Sequence, residues 1–343
     1  MWTVPHIRRS RKCAWGGETI EYLFPSLVLL LTSAFFGAYV FIPVSIGVFL
    51  FLFFAYGNRR CLMLIPLSFL SLIHPFLSIV AIIGTLLLLE RDNFHRVFYI
   101  VGSVFLVFII FPVLSLLLYF SPSVIHDTSL LNAISVSIVA ASISTIIAIL
   151  FALPLGYILA RKNFIGKRFF EGIIDLPIVI PHTVAGIVLL LVFGSSGIWG
   201  APLEEIGIRF YYAMPGIIVA MLFVSAPFVI NQIKEGVKKV DERYELTAMS
   251  LGAGRFRVFM DIVIPQIRGN IMSGAVNAWA RAISEFGAVM MIAFYPMVAP
   301  TYIYYLYTNF GLKEALPATA LLLILTLSIF SILRYIAGRL END

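Results

Sequence analysis

Apolar runs longer than a soluble core needs recur along this chain. Leu23–Tyr56 holds no charged residue over 34 positions, and Cys61–Leu89 is broken only at His74-Pro75. A helix crosses hydrocarbon with about 20 such residues. Charged residues make up 12% of the sequence, against about 25% in soluble domains. The chain therefore reads as an integral membrane protein with several spans. The runs show no two-residue alternation, so helices are predicted and not a barrel. The formal charge of +6 is carried in short loops, the pattern of segments retained on the cytoplasmic side, and gives no reason to expect nucleic acid as a partner. Cys13 and Cys61 lack metal-ligand or disulfide spacing. The basic start (Arg8, Arg9, Arg11, Lys12) precedes a stretch too long for a cleavable signal.

Taken in order, residues 1–96 read as a membrane extension with a cytoplasmic linker. Gly37 and Pro43 divide the first run, so the extension is expected to form two or four short spans. Glu90–Arg96 is charged and marks the boundary. Six spans are then expected near Val97–Phe120, Ala133–Leu159, Ile173–Phe193, Pro215–Ile230, Ile271–Phe294 and Leu316–Ile336. The connection Arg161–Arg168 holds four basic residues and Lys234–Arg268 seven, whereas the three opposite connections hold only Arg209 and Lys313. The positive-inside rule then puts the basic loops and both termini in the cytoplasm.

The loop at 233–270 is polar yet not loop-like. Asp241–Leu251 has helical spacing through Tyr244, Ala248 and Leu251. Gly252-Ala253-Gly254 permits a sharp turn. Arg255–Val263 resumes the helix, and Pro265, lacking a backbone donor, is expected to stop it. A helix-turn-helix with an apolar face at a membrane surface suits docking to another protein.

Gly252 is followed by nine residues and then Ile262-Val263-Ile264-Pro265. This resembles the cytoplasmic loop of permease subunits of ABC importers, which reads E-A-A, three residues, G, nine residues, I-x-L-P. The first half departs from the pattern: Leu246-Thr247-Ala248 stand where E-A-A belongs, and the acid is one place early, at Glu245. The stretch Asp175-Leu176-Pro177-Ile178-Val179-Ile180-Pro181-His182-Thr183-Val184-Ala185-Gly186 and the stretch Ser284-Glu285-Phe286-Gly287-Ala288-Val289 are similar to permeases of the molybdate/tungstate branch and, more loosely, their sulfate relatives.

Both stretches also have a reading of their own. Two prolines four apart free carbonyls, and broken helices are tolerated where they line a cavity. The other reading is a helix simply entering the membrane at Pro181. His182 and Thr183 follow that break, and His is rare within spans. Arg281 and Glu285 are four apart on one helix face and could pair. In hydrocarbon both should face protein or water. They are either a structural pair or part of a gate. Ser284 beside them offers a neutral donor, and Gly287 and Ala288 suit close helix contact. The hydroxyls Ser135, Ser137, Ser142, Ser144 and Thr145 are read mainly as packing groups. No Walker lysine, Ser-His-Asp array or His-Glu-x-x-His helix occurs, so the chain is not read as an enzyme.

The resemblance covers about residues 97–340. It implies an all-α, six-span type I ABC importer permease core. The implied function is import of a tetrahedral oxyanion, molybdate or tungstate, across the cell membrane by alternating access. It further implies a homodimer, two cytoplasmic ATPase subunits carrying the ATP and Mg, an extracytoplasmic solute-binding protein, and no cofactor in this chain. Glu245, Ala248, Leu251, Gly252, Ala253, Phe256 and Pro265 would form the ATPase-coupling loop. His182, Thr183, Arg281, Ser284 and Glu285 would lie at the translocation path or gate. Two other readings stay open: a permease for sulfate or phosphate, and an ion-coupled secondary carrier with Arg281 and Glu285 as relay.

Overall fold

The computed structural model describes residues 115–342 without a break, together with residues 102, 105, 109, 112 and 113. The extension at 1–96 and most of the expected span Val97–Phe120 lie outside the described residues. Residues Phe120–Asp343 form one compact unit. Among the described residues every regular element is helical.

A 3₁₀ turn at Pro122–His126 leads into α1, Thr128–Arg161. Asp127 caps it by accepting hydrogen bonds from the backbone N–H groups of Ser129 and Leu130, two donors that a helix start leaves without internal partners. Next come α2 (Lys167–Val179), α3 (His182–Phe193), the short α4 (Gly200–Glu205) and α5 (Met214–Lys239). α6 (Glu242–Ser250) and α7 (Arg255–Val258) form the polar loop. A π-helical turn, Phe259–Val263, and α8 (Ile264–Gln266) lead to α9 (Arg268–Ile283). Then follow α10 (Gly287–Ile292), α11 (Ala299–Phe310) and α12 (Leu312–Asn342).

Three of these are long and apolar enough to cross a membrane: Thr128–Arg161, Met214–Lys239 and Leu312–Arg339. They contain the expected spans Ala133–Leu159, Pro215–Ile230 and Leu316–Ile336. The other two expected spans are not straight helices. Ile173–Phe193 is split into α2 and α3, which meet at 111°. Pro181 cannot donate a backbone hydrogen bond and forces Ile180 into extended backbone (φ −68°, ψ 133°). Pro177 breaks nothing and lies buried inside α2. Ile271–Phe294 is interrupted at Ser284–Phe286. At 1.5 Å per residue, the 16 residues of α9 span about 24 Å, short of a hydrocarbon core about 30 Å thick. The expected connection Tyr295–Ala315 also contains a helix, α11.

α5 is the centre of the bundle, packed against both α1 and α9, which also touch each other. Lipid tails are as apolar as leucine, so helices associate there by close packing rather than by expulsion from water. Small residues serve that need. Ala140, Ala141, Ala148, Ala152 and Gly156 are buried along α1. A Cβ on Gly156 would lie 2.8 Å from Ile233 Cγ2 on α5. On the other side, a Cβ on Gly236 would lie 2.7 Å from Asn270 Cβ. α2 is tied to α5 by Asn231 Nδ2 donating to Asp175 Oδ1 (2.7 Å) and by Lys234 Nζ–Glu171 Oε1 (3.3 Å).

The α1 hydroxyls are occupied in packing. Ser137 donates to the carbonyl of Ala133 (3.0 Å) and accepts the N–H of Ala299 at the start of α11 (2.7 Å). Ser144 and Thr145 both bond back to the carbonyl of Ala141. Ser135 bonds back to Asn132 O, and Ser142 accepts from Trp279 Nε1 of α9 (3.2 Å).

Gly156→Val should therefore separate α1 from α5. The expected result is a chain that still inserts but unfolds at a lower temperature in detergent, by the 1–3 kcal/mol (about) typical of overpacking. Gly172→Ala, inside α2 with nothing within 4 Å of the added carbon, is the control and should unfold at or slightly above the parent's temperature, because Ala favours a helix interior over Gly.

Candidate coupling loop and transmembrane ionic site

The polar loop is a pair of short helices hinged at one glycine. Asp241 starts α6, its side chain accepting from Arg243 N. The helix closes by two backbone bonds: Ala253 N donates to Ala248 O and Gly252 N to Met249 O, each 3.0 Å. That pattern places the residue after the C-cap in the left-handed region. Gly252 has φ +91°. Ala248 and Ala253 thus form the turn itself. Leu251 and Phe256 stand at its tip, 83% and 78% exposed, with Tyr244 and Leu246 also exposed. The expected apolar face is present and carries no covering within this chain's described residues.

Pro265 departs from expectation because it does not end the helix. The preceding π-turn lets Ile264 N bond to Phe259 O, and Ile267 N then bonds to Val263 O and Ile264 O. The wider turn absorbs the missing proline donor, so helical backbone continues to Gln266. Of the expected loop 233–270, residues 233–239 belong to α5 and 268–270 to α9. Glu245 also differs from its neighbours in the loop. It is 5% exposed and faces α1, where it accepts from Tyr157 Oη (2.6 Å) and Arg161 Nε (2.7 Å).

The second cluster forms where two broken helices meet. Gly186 and Gly287 let α3 and α10 touch backbone to backbone. A Cβ on Gly186 would lie 2.6 Å from Met291 Cβ, and one on Gly287 would lie 2.8 Å from His182 Cβ. This contact sets His182 over the end of α9. Arg281 Nη2 donates to Glu285 Oε2 (2.7 Å) and lies 2.9 and 3.1 Å from the two ring nitrogens of His182. Arginine has donors only, so the imidazole supplies the acceptor. His182 Nδ1 is 3.6 Å from Glu285 Oε2.

Glu285 is 1% exposed. Its second oxygen accepts the N–H of Ala288 (2.8 Å), so both carboxylate oxygens are satisfied. The break at Ser284–Phe286 is what presents that N–H, the second of α10. Ser284 is exposed, donates to Arg281 O (3.0 Å) and accepts from Arg281 Nη1 (3.3 Å). Thr183 sits beside His182, exposed, with its backbone nitrogen against Gly287. His182, Arg281, Ser284 and Glu285 are thus one hydrogen-bonded group drawn from residues 99 or more apart and from a single turn. Sequence reasoning did not single out Tyr157 or Arg161. Arg161 was visible only as one basic residue of a topology-setting loop, and no local pattern ties Tyr157 to a residue 88 positions away.

Two outcomes follow from this geometry. Arg281→Ala should strand a buried carboxylate and cost about 3–5 kcal/mol. The double variant with Glu285→Ala should recover part of that loss, as read by thermal unfolding of the purified chain. Gly252→Val should strain the left-handed turn by about 1–2 kcal/mol, with no steric component because nothing lies within 4 Å of the added carbon. The expected readout is an inserted, folded chain whose α6–α7 tip is cut faster by a protease.

Residues 152–342, more than half the chain, match the family described as "binding-protein-dependent transport system inner membrane component". The molybdate/tungstate transport system permease protein of Thermococcus kodakarensis is 39% identical over 257 residues, covering 73% of this chain and 99% of that one. The protein of the same name from Pyrococcus furiosus is 42% identical over 216 residues, covering 63% and 82%. Among solved structures, a bacterial ABC transporter involved in import of the acidic polysaccharide alginate superposes with a TM-score of 0.59. It is 17% identical and covers 73% of this chain and 96% of its own, a likeness of fold. The matched residues include the hinged loop, α9, the ionic group's Arg281 and Glu285, and the break that follows. This chain is a multi-pass membrane protein of the binding-protein-dependent transport family, a type I ABC importer permease.

Proposed function

We propose that this chain is the permease subunit through which a tetrahedral oxyanion, molybdate or tungstate, enters the cell. The observation that carries the reading is the 39% identity over nearly the whole length of a relative bearing that name. In this reading two copies of the chain enclose the path. Two ATPase subunits holding ATP and Mg grip the exposed Leu251 and Phe256 tips, and an extracytoplasmic binding protein delivers the anion. The basic loops and both termini then face the cytoplasm, as the charge distribution favours.

The ionic group suits a gate more than a binding site. Glu285 would repel a dianion, but its charge is held by Arg281 and a backbone N–H. The groups that could turn to the anion are the exposed Ser284 hydroxyl, by giving up its bond to the Arg281 carbonyl, the His182 ring nitrogen not used by Arg281, and the α3 start near Thr183. Such a set gives transient hydrogen bonds, and conduction needs sites weak enough to leave. Alternating access then requires that ATP-driven movement of the α6–α7 tip change contacts at this group.

The test is uptake of radiolabelled molybdate into vesicles carrying the chain with its ATPase and binding protein. Uptake should require ATP and all three components. Unlabelled tungstate should compete, while sulfate and phosphate in equal excess should not. Competition by sulfate alone would reassign the substrate. Uptake by the chain alone under an ion gradient would overturn the importer reading. A cysteine replacing Ser284 should react with a small polar thiol reagent at a rate that changes when ATP is trapped. If it stays unreactive in every state of a transporting complex, Ser284 is not on the path.

A further inference from the structure

Glu245 is a buried carboxylate in a loop whose neighbours face outward. Its partners are both on the last turns of α1. Tyr157 Oη donates to Oε2 at 2.6 Å, and Arg161 Nε and Nη2 each lie 2.7 Å from Oε1. Arg161 also donates to the carbonyl of Val240 at the end of α5 (2.8 Å) and lies 3.7 Å from Glu242. The Tyr157 ring meets Phe259 edge-on, with centroids 5.1 Å apart. One turn of α1 therefore grips α5, α6 and the π-turn after α7 together.

We propose that Tyr157 and Arg161 are positioning residues that convert displacement of the α6–α7 tip into movement of α1. This rests on the reading that the tip docks an ATPase. The chemistry is specific to a desolvated carboxylate. An apolar contact can slip, since dispersion is nearly indifferent to register, whereas Glu245 is held by directional, charge-assisted contacts to Tyr157 and Arg161 that must break together before α6 parts from α1. α1 therefore follows α6. Thirty-four residues long, with Pro154 inside it, α1 measures about 51 Å along its path at 1.5 Å per residue, enough to reach the far side of the bilayer even with a bend at the proline. On the way its Ser142 accepts from Trp279 Nε1, two residues before Arg281. Movement of α1 is thus delivered next to the ionic group.

The experiment uses the reconstituted complex with ATPase and binding protein, reading radiolabelled molybdate uptake and ATP hydrolysis in the same vesicles. Tyr157→Phe keeps the ring on Phe259 and removes only the hydroxyl. The expected result is normal copurification of the ATPase and normal hydrolysis, with uptake per ATP lowered about fivefold or more. Glu245→Gln should lower uptake per ATP similarly, and the double variant should fall little further, because both changes break one linkage. Parental uptake per ATP in Tyr157→Phe would overturn the proposal. So would loss of ATPase copurification in Tyr157→Phe, since the cluster would then shape the docking face instead of transmitting from it. A parental complex in which the ATPase does not bind this loop at all is a different failure, that of the docking reading itself.

Discussion

Hydrocarbon supplies no hydrogen-bond partner, and this bundle is arranged around that constraint. Among the described residues the buried polar side chains are answered by another part of the chain, with the Thr301 hydroxyl as the exception. Ser137 is satisfied by a carbonyl below it and an N–H from α11. Glu285 is satisfied by Arg281 and by a helix start. With the polar groups committed, the remaining contact is apolar and must be close, because water is not there to drive it. Alanine and glycine along α1 and α5 provide that closeness.

The same constraint accounts for the broken helices. A straight helix through Ile271–Phe294 would keep all its N–H groups to itself, and Glu285 would have Arg281 but no backbone donor for its second oxygen. Interrupting the helix at Ser284–Phe286 exposes the N–H of Ala288 to the carboxylate. On the facing element, Pro181 bends α2 from α3 by 111° and turns His182 toward Arg281. The glycines at 186 and 287 bring those two breaks within contact. The irregular backbone is where the ionisable groups are, and each feature needs the other.

The bundle has a buried carboxylate at each end of one mechanical chain. Glu245 and Glu285 are both held by an arginine plus further donors; Glu245 joins α6 to a distant turn of α1, whereas Glu285 bonds within its own break and reaches α3 through Arg281 and His182. Between them run α1 and α9, joined by Ser142 and Trp279. Rigid helices linked by desolvated ion pairs resist partial displacement, so the bundle is expected to move between discrete arrangements rather than deform continuously.

Much of this was legible in the chain. The apolar runs specify helices in a bilayer, because composition and run length report directly on solvent. The loop's hinge was readable at Gly252, since a left-handed residue after a helix nearly demands glycine. The i, i+4 spacing of Arg281 and Glu285 announced their pairing. Two of the expected spans, though, are bent or broken, and Pro265 is passed through by a π-turn. The break at Pro181 was one of two readings the prolines left open, since its cause is local; the interruption at Ser284–Phe286 and the π-turn through Pro265 were not foreseen, because each depends on which partner group stands opposite. The same holds for Glu245. By position it belonged to a docking loop, yet its burial against Tyr157 and Arg161 depends on how α1 and α6 come together. Sequence determined which segments are helical and which residues are too polar to face lipid. Beyond the local Arg281–Glu285 pair, tertiary structure alone decided which partner satisfies each of them, because a hydrogen bond across 84 or 99 residues leaves no periodicity to read.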